Sequence, residues 1–178
     1  MKFDVIAEKI PAMDKQTAVV VPGFEDAEAR FPTGIADDAI TTIESLVKID
    51  AVKGEADEAY YISTPKAPYA GVVLLGLGKF EHFDAEALRR SSGAACRLLQ
   101  KHKIARVVFD DSSGLAMPLE AFVEGIMLGQ YEFTAFKKAP EPPTTLVNEI
   151  VAVTASGEGL EEFREGIERT IVVCESAN

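Results

Sequence analysis

Gly76-Leu77-Gly78-Lys79 is the stretch whose residue types come nearest to a chemical motif. A Gly-x-Gly-Lys turn ahead of a helix can cradle a phosphate with its backbone N–H groups. A phosphate-binding loop, however, needs a glycine, four residues, then Gly-Lys-Ser/Thr. Val73 stands where the first glycine belongs, and Phe80 follows the lysine. A dinucleotide fingerprint breaks at Glu81, which takes the third glycine's place. The stretch reads as a structural turn, with an anion site at the following helix as the alternative.

The remaining reactive side chains are scattered. His82 and His102 lie outside any metal-ligand spacing, and the chain has no HExxH and no CxxC, so both read as surface histidines. A cysteine nucleophile would pair Cys96 with His82 or His102. Cys96 sits among Ala94, Ala95 and Leu98, which reads as a buried, inert thiol. Asp110-Asp111 closes a strand, where α/β enzymes keep carboxylates. With no second acidic cluster to complete a site, the pair reads as a turn and helix cap. No serine lies in a Gly-x-Ser-x-Gly elbow. The residues therefore assign no catalytic, cofactor-binding or metal-binding position.

The elements that would position such groups follow from periodicity. Gly71-Val72-Val73-Leu74-Leu75 is apolar without alternation, the mark of a strand buried on both faces. A helix from about Asp84 to His102 follows, with Leu88, Ala95, Leu98 and Leu99 at helical spacing. Asp84 is its N-cap, Glu86 suits its first turn, and Lys101 and Lys103 its last. Gly93, Ala94 and Ala95 are small enough for this helix to lie close to the sheet.

Strands are expected at Lys2 to Ala7 and at Thr17 to Val21, the latter stopped by Pro22-Gly23. Phe24 to Gly34 is polar and loop-like. A helix capped by Asp37 or Asp38 runs to about Ile49, with Ile40, Ile43, Leu46 and Val47 on one face. After a turn at Lys53 to Asp57, a strand at Glu58 to Ser63 leads through Lys66-Ala67-Pro68 into the Gly71 strand. Ile104 to Phe109 is a further strand ending in the turn Asp110 to Gly114. The helix at about Pro118 to Gly129 turns Leu119, Phe122, Val123, Ile126 and Met127 inward, with Pro118 in its first turn. Gln130 to Phe136 reads as extended, and Ala139 to Pro143 as an exposed loop. A last strand is expected at Leu146 to Thr154, then a helix from about Gly159 carrying Leu160, Phe163, Ile167 and Ile171. Glu58–Ser63 and Gly71–Leu77 are too close for a helical crossover, so the sheet must be mixed. The expected fold is α/β, a three-layer α/β/α domain on a mixed sheet.

Composition bounds the partners. The chain has 178 residues, 47% of them apolar, which suits one domain with a real core. Its formal net charge of -11 opposes a general grip on nucleic acid or anionic membranes. Lys101-His102-Lys103 is the longest basic stretch and reads as a solvated surface. The two cysteines, Cys96 and Cys174, make no disulfide framework, so a reducing cytoplasm is the expected setting. Met1-Lys2-Phe3-Asp4 is not followed by a signal-peptide core. No apolar run approaches the roughly 20 residues of a membrane span.

Three blocks in order carry a resemblance: Val72-Val73-Leu74-Leu75-Gly76-Leu77-Gly78-Lys79; then Ala87-Leu88-Arg89-Arg90-Ser91-Ser92-Gly93-Ala94-Ala95-Cys96-Arg97; then Glu124-Gly125-Ile126-Met127-Leu128-Gly129-Gln130-Tyr131-Glu132-Phe133 with Phe136-Lys137. The chain resembles the N-terminal domain of the leucyl aminopeptidases, the M17 metallopeptidases. In that family a "VGLGK" strand-turn, an "RRAAGAAAR" helix and an "EGxxLGxYxFxxYK" segment recur at about these distances. The resemblance spans nearly the whole chain, and none of its blocks is catalytic. The family's "ARDLVNxPxN" block is not matched at Thr170-Ile171-Val172-Val173-Cys174-Glu175-Ser176-Ala177-Asn178, where only the apolar pair and the final asparagine agree.

The resemblance implies a macro-domain-like fold over residues 1–155. It implies that residues 156–178 begin a helix linking to a C-terminal peptidase domain beyond Asn178. That domain would hold two divalent metals, zinc or manganese, and remove N-terminal amino acids from peptides. The head itself would have no peptidase activity and no cofactor. It would serve hexamer assembly and active-site access, with the C-terminal domain of the same chain as partner, in the cytoplasm. Nucleic acid is not an expected partner. Two other readings stay open: a macro-like module for ADP-ribose or a nucleotide, and a free-standing interaction domain.

Overall fold

The computed structural model describes residues 1–7, 12–26, 35–111, 118–131, 144–154 and 160–177. Six strands form one sheet: β1 (Lys2–Ala7), β2 (Thr17–Gly23), β3 (Ala59–Ser63), β4 (Gly71–Gly76), β5 (Arg106–Asp111) and β6 (Glu149–Thr154). Four helices flank it: α1 (Asp37–Lys48), α2 (Ala85–Lys101), α3 (Leu119–Gly129) and α4 (Leu160–Ala177). The sheet order is β1-β6-β5-β2-β4-β3. Every neighbouring pair is parallel except β3 with β4. The reason is the connection: Thr64 N–H donates to the Ala70 carbonyl at 3.2 Å, closing a link too short for a crossover. The α/β three-layer, mixed-sheet expectation is met.

Strand β4 is buried at all six positions, as its unbroken apolar run requires. Val73 and Leu75 face one core with Val20, Phe109 and Ile150, under α2, α3 and α4. Val72 and Leu74 face the other with Val19, Val108 and Val151, under α1. Each fully buried Val, Leu or Phe contributes about 1.5–3 kcal/mol, so the two apolar layers dominate stability.

Several local expectations shift. Pro22 lies inside β2 rather than ending it, pairing with Leu75. Its missing N–H costs nothing on the other side, because β5 pairs with β2 only as far as Val20. Helix α1 is capped by Ala36, not Asp37 or Asp38, and no side chain accepts from its first N–H groups. Val47 stays 44% exposed, so it is not part of the buried face. Pro118 sits at the N-cap of α3 rather than in its first turn. Gly93 packs against α3, not the sheet: a Cβ there would meet the Gly125 carbonyl oxygen at 3.4 Å.

Other local expectations hold. Asp84 caps α2, its carboxylate accepting from Ala87 N–H at 2.8 Å. Leu119, Phe122, Val123, Ile126 and Met127 are all buried on α3. Helix α4 packs back on the domain through buried Ile167 and Cys174, and Arg164 pairs with Asp4 of β1 at 3.2 Å. The loop from 27 to 34, the end of the Asp110–Gly114 turn, the stretch after Tyr131 with Phe133, Phe136 and Lys137, the Ala139–Pro143 loop and the start of the last helix at Gly159 lie outside the described residues.

Candidate functional site

Gly76 and Gly78 are demanded by packing. A Cβ on Gly76 would stand 2.1 Å from the Glu55 carbonyl oxygen, and Gly78 has φ +74°. The turn is stitched to its neighbours: Leu77 N–H donates to the Gly23 carbonyl and Gly78 N–H to that of Gly54, both at 2.9 Å. After it come a single 3₁₀ turn at Phe80–His82 and then α2. Two of the N–H groups that would meet an anion are already taken by carboxylates. Asp26 accepts from Phe80 N–H at 2.9 Å, and Asp84 from Ala87 N–H at 2.8 Å. A phosphate there would face two negative charges. The turn is structural.

The possible nucleophiles are closed off. Cys96 is fully buried, and burial pushes its thiol up to about 12, against a smaller opposing pull from Arg97. Cys174 is buried where α4 meets the domain; burial raises its thiol, and the Glu124 carboxylate raises it further. At about 12 the Cys96 thiol carries no appreciable thiolate at neutral pH, and the Cys174 shift is in the same direction. His82 is on the surface beside Glu81. His102 is exposed, but its ring stacks on Tyr61 with centroids 3.7 Å apart and planes at 11°. Partial desolvation there, and then Lys101, lower its pKa. Neither histidine approaches Cys96 as a hydrogen-bonded base.

Asp110 and Asp111 correct the turn-and-cap expectation. Both are buried residues of β5, paired in register with Val153 and Thr154 of β6. Sheet pairing carries the strand through Asp110 and Asp111, two turn-forming residue types. Among the described residues, no group of three His, Cys, Asp or Glu side chains could hold a metal ion. No described helix is long and apolar enough to cross a membrane.

Among the described residues the sheet also forms a half-open cleft that no motif signals. At the carboxyl ends of β2 and β4 lies a cleft of about 320 Å³. Phe24, Val52 and Leu74 give it an apolar floor, and Gly23 and Gly54 bring backbone to its wall. Glu25, Asp50, Lys53 and Glu55 stand at its mouth, all exposed. Three distant stretches build it: the end of β2, the connection after α1, and β4. Positive φ at Asp50 (+56°), Gly54 (+72°) and Asp57 (+65°) marks the turns of the connecting segment.

A second surface lies on α4. Val172 and Val173 are each 65% exposed, flanked by Glu165, Glu168 and Arg169. They are on the side of the helix away from buried Ile167 and Cys174.

With this geometry in hand, similarity to known proteins is informative. The family profile described as "Cytosol aminopeptidase family, N-terminal domain" matches residues 20–140. A probable cytosol aminopeptidase of Rhodococcus opacus is 31% identical over 171 residues, covering 91% of this chain and 33% of that protein. One from Clostridium perfringens is 28% identical over 165 residues, covering 89% and 32%. This chain thus spans about a third of the length of the curated relatives it matches. Among solved structures, a tomato leucine aminopeptidase mutant superposes with a TM-score of 0.68 at 14% identity, covering 98% of this chain and 36% of the other. The bottromycin maturation enzyme BotP gives 0.58 at 16% identity, covering 88% and 31%. At these identities the structural likeness speaks for the fold.

Proposed function

The chain belongs to the cytosol aminopeptidase family through that family's N-terminal domain, and from this premise we propose that it is the non-catalytic head of a metallo-exopeptidase. The observation that carries this reading is coverage: nearly all of this chain aligns with only a third of each aminopeptidase. On this reading residues 1–155 are the head, and 156–178 begin the link to a peptidase domain in the same polypeptide. That partner would supply two divalent metals, zinc or manganese, and cleave N-terminal residues from peptides in the cytoplasm. The head would aid assembly into a hexamer and shape access to the active site. The exposed Val172–Val173 face of α4 supports a role in contact rather than chemistry, since it leaves apolar surface unpartnered in the isolated chain. Buried thiols and scattered histidines likewise leave this domain no reactive constellation among its described residues.

The test is to probe extracts of the source organism with an antibody to this chain. The expected antigen is about three times the chain's length, and its immunoprecipitate hydrolyses leucine p-nitroanilide with added Mn²⁺ or Zn²⁺. An antigen of 178 residues with no associated peptidase would overturn the reading.

The ADP-ribose alternative is disfavoured by charge. The described cleft carries three carboxylates and one lysine at its mouth, which repel a diphosphate. Calorimetry with ADP-ribose should give no binding heat. The free-standing interaction alternative requires a stable assembly of this chain alone, which light scattering would reveal.

A further inference from the structure

We propose that the cleft at the carboxyl ends of β2 and β4 binds a small aliphatic dication, a diamine or its guanidino analogue. Topology, cavity and charge each contribute. Neighbouring parallel strands whose following helices lie on opposite faces of a sheet leave a crevice at their carboxyl ends, the usual ligand position in α/β sheets. Here α1, following β2, packs on one face through Ala39 and Ile43. Helix α2, following β4, packs on the other through Leu88 and Leu99. The cleft lies at that switch point, and its volume of about 320 Å³ is at the small-molecule end of ligand sites.

The lining then selects the ligand class. Buried Val52 and Leu74 suit an aliphatic stem. Glu25, Asp50 and Glu55 against Lys53 leave a net charge of about -2 at the mouth. None of these carboxylates is in an ion pair among the described residues. No three of the described acidic side chains converge to hold a metal ion. A net negative mouth over an apolar floor fits a short hydrocarbon stem carrying a cation at each end. This inference is independent of the aminopeptidase reading, because it concerns a site wholly within this chain.

The test is calorimetric titration of the 178-residue chain with agmatine at low ionic strength, with 1,4-butanediol and ADP-ribose as comparison ligands. One saturable site for agmatine is expected, with no binding of the other two. The double variant Asp50→Asn/Glu55→Gln should weaken agmatine by roughly fivefold or more, as two partly solvated carboxylates allow. Asparagine tolerates the positive φ at position 50, so the fold should survive. A second variant, Val47→Lys, adds a positive charge at a half-exposed position lining the cleft. It should abolish binding while circular dichroism stays unchanged. Linear, unsaturable heats, equal affinity in the double variant, or butanediol or ADP-ribose binding as tightly as agmatine would each overturn the proposal. Capture of an arginine-bearing tripeptide without agmatine binding would overturn the small-molecule assignment.

Discussion

Gly125 of α3 lies directly against the backbone of Arg89 in α2: a Cβ on Gly125 would stand 2.2 Å from the Arg89 carbonyl oxygen. One turn on, a Cβ on Gly129 would stand 2.9 Å from the carbonyl oxygen of Gly93. The two helices therefore meet backbone to backbone, and Arg89 bridges them again by pairing with Glu124 at 2.7 Å. Replacing Gly125 with leucine must push the helices apart. We expect Gly125→Leu to cost about 1–3 kcal/mol or more, the range of overpacked cores. At about 2–4 °C per kcal/mol for a chain this size, thermal melts will show it. Ala94→Ser, on the exposed side of α2, should leave the midpoint within error.

Helix α1 begins without a side-chain cap. Ala36 has φ -64° and ψ 137°, the extended geometry that an N-cap serine adopts. Ala36→Ser should therefore stabilise the protein by about 0.5–1 kcal/mol, read as a raised denaturant midpoint at unchanged slope. A lowered midpoint would mean that the hydrogen bond from Ala36 N–H to the Tyr69 hydroxyl, 2.8 Å, had been disturbed.

The His102–Tyr61 stack makes a pH prediction. The lowered pKa of His102, from desolvation first and Lys101 second, means that the folded state favours the neutral ring. Its contribution to stability is whole above the ordinary value of 6.5 and is lost as pH falls from there through the folded midpoint. An NMR titration should place the His102 midpoint below 6.5. Tyr61→Ala removes the covering ring and should return it upward.

The two cysteines should be silent in the native protein. Burial holds Cys96 at about 12 and raises Cys174, which lowers the thiolate fraction of both, and both side chains are buried. Ellman's reagent at pH 8 should detect no thiol before denaturant and both after it. Fast native reaction at Cys174 alone would mean that α4 opens from the domain locally.

Much was legible from local pattern. An apolar run without alternation can only be a strand covered on both faces, and β4 is one. Asp84 ahead of an apolar-periodic segment caps α2, as its residue type and position predict. A link from Thr64 to Ala70 cannot hold a crossover, so β3 had to run antiparallel to β4. These features depend on the geometry of a few adjacent residues, and sequence records them directly.

What folding alone settled is non-local. Asp110-Asp111 carries turn formers, yet pairing with Val153 and Thr154 keeps it in a strand, because ladder hydrogen bonds outweigh a weak local preference. Gly93 faces α3 rather than the sheet because helix rotation answers to both neighbours at once. The cleft draws Leu74, Val52 and Glu25 from three separate stretches, and no spacing rule relates them. Periodicity states which face of each element is apolar. Which elements share that face, and what opening they leave between them, is decided only when the whole core closes.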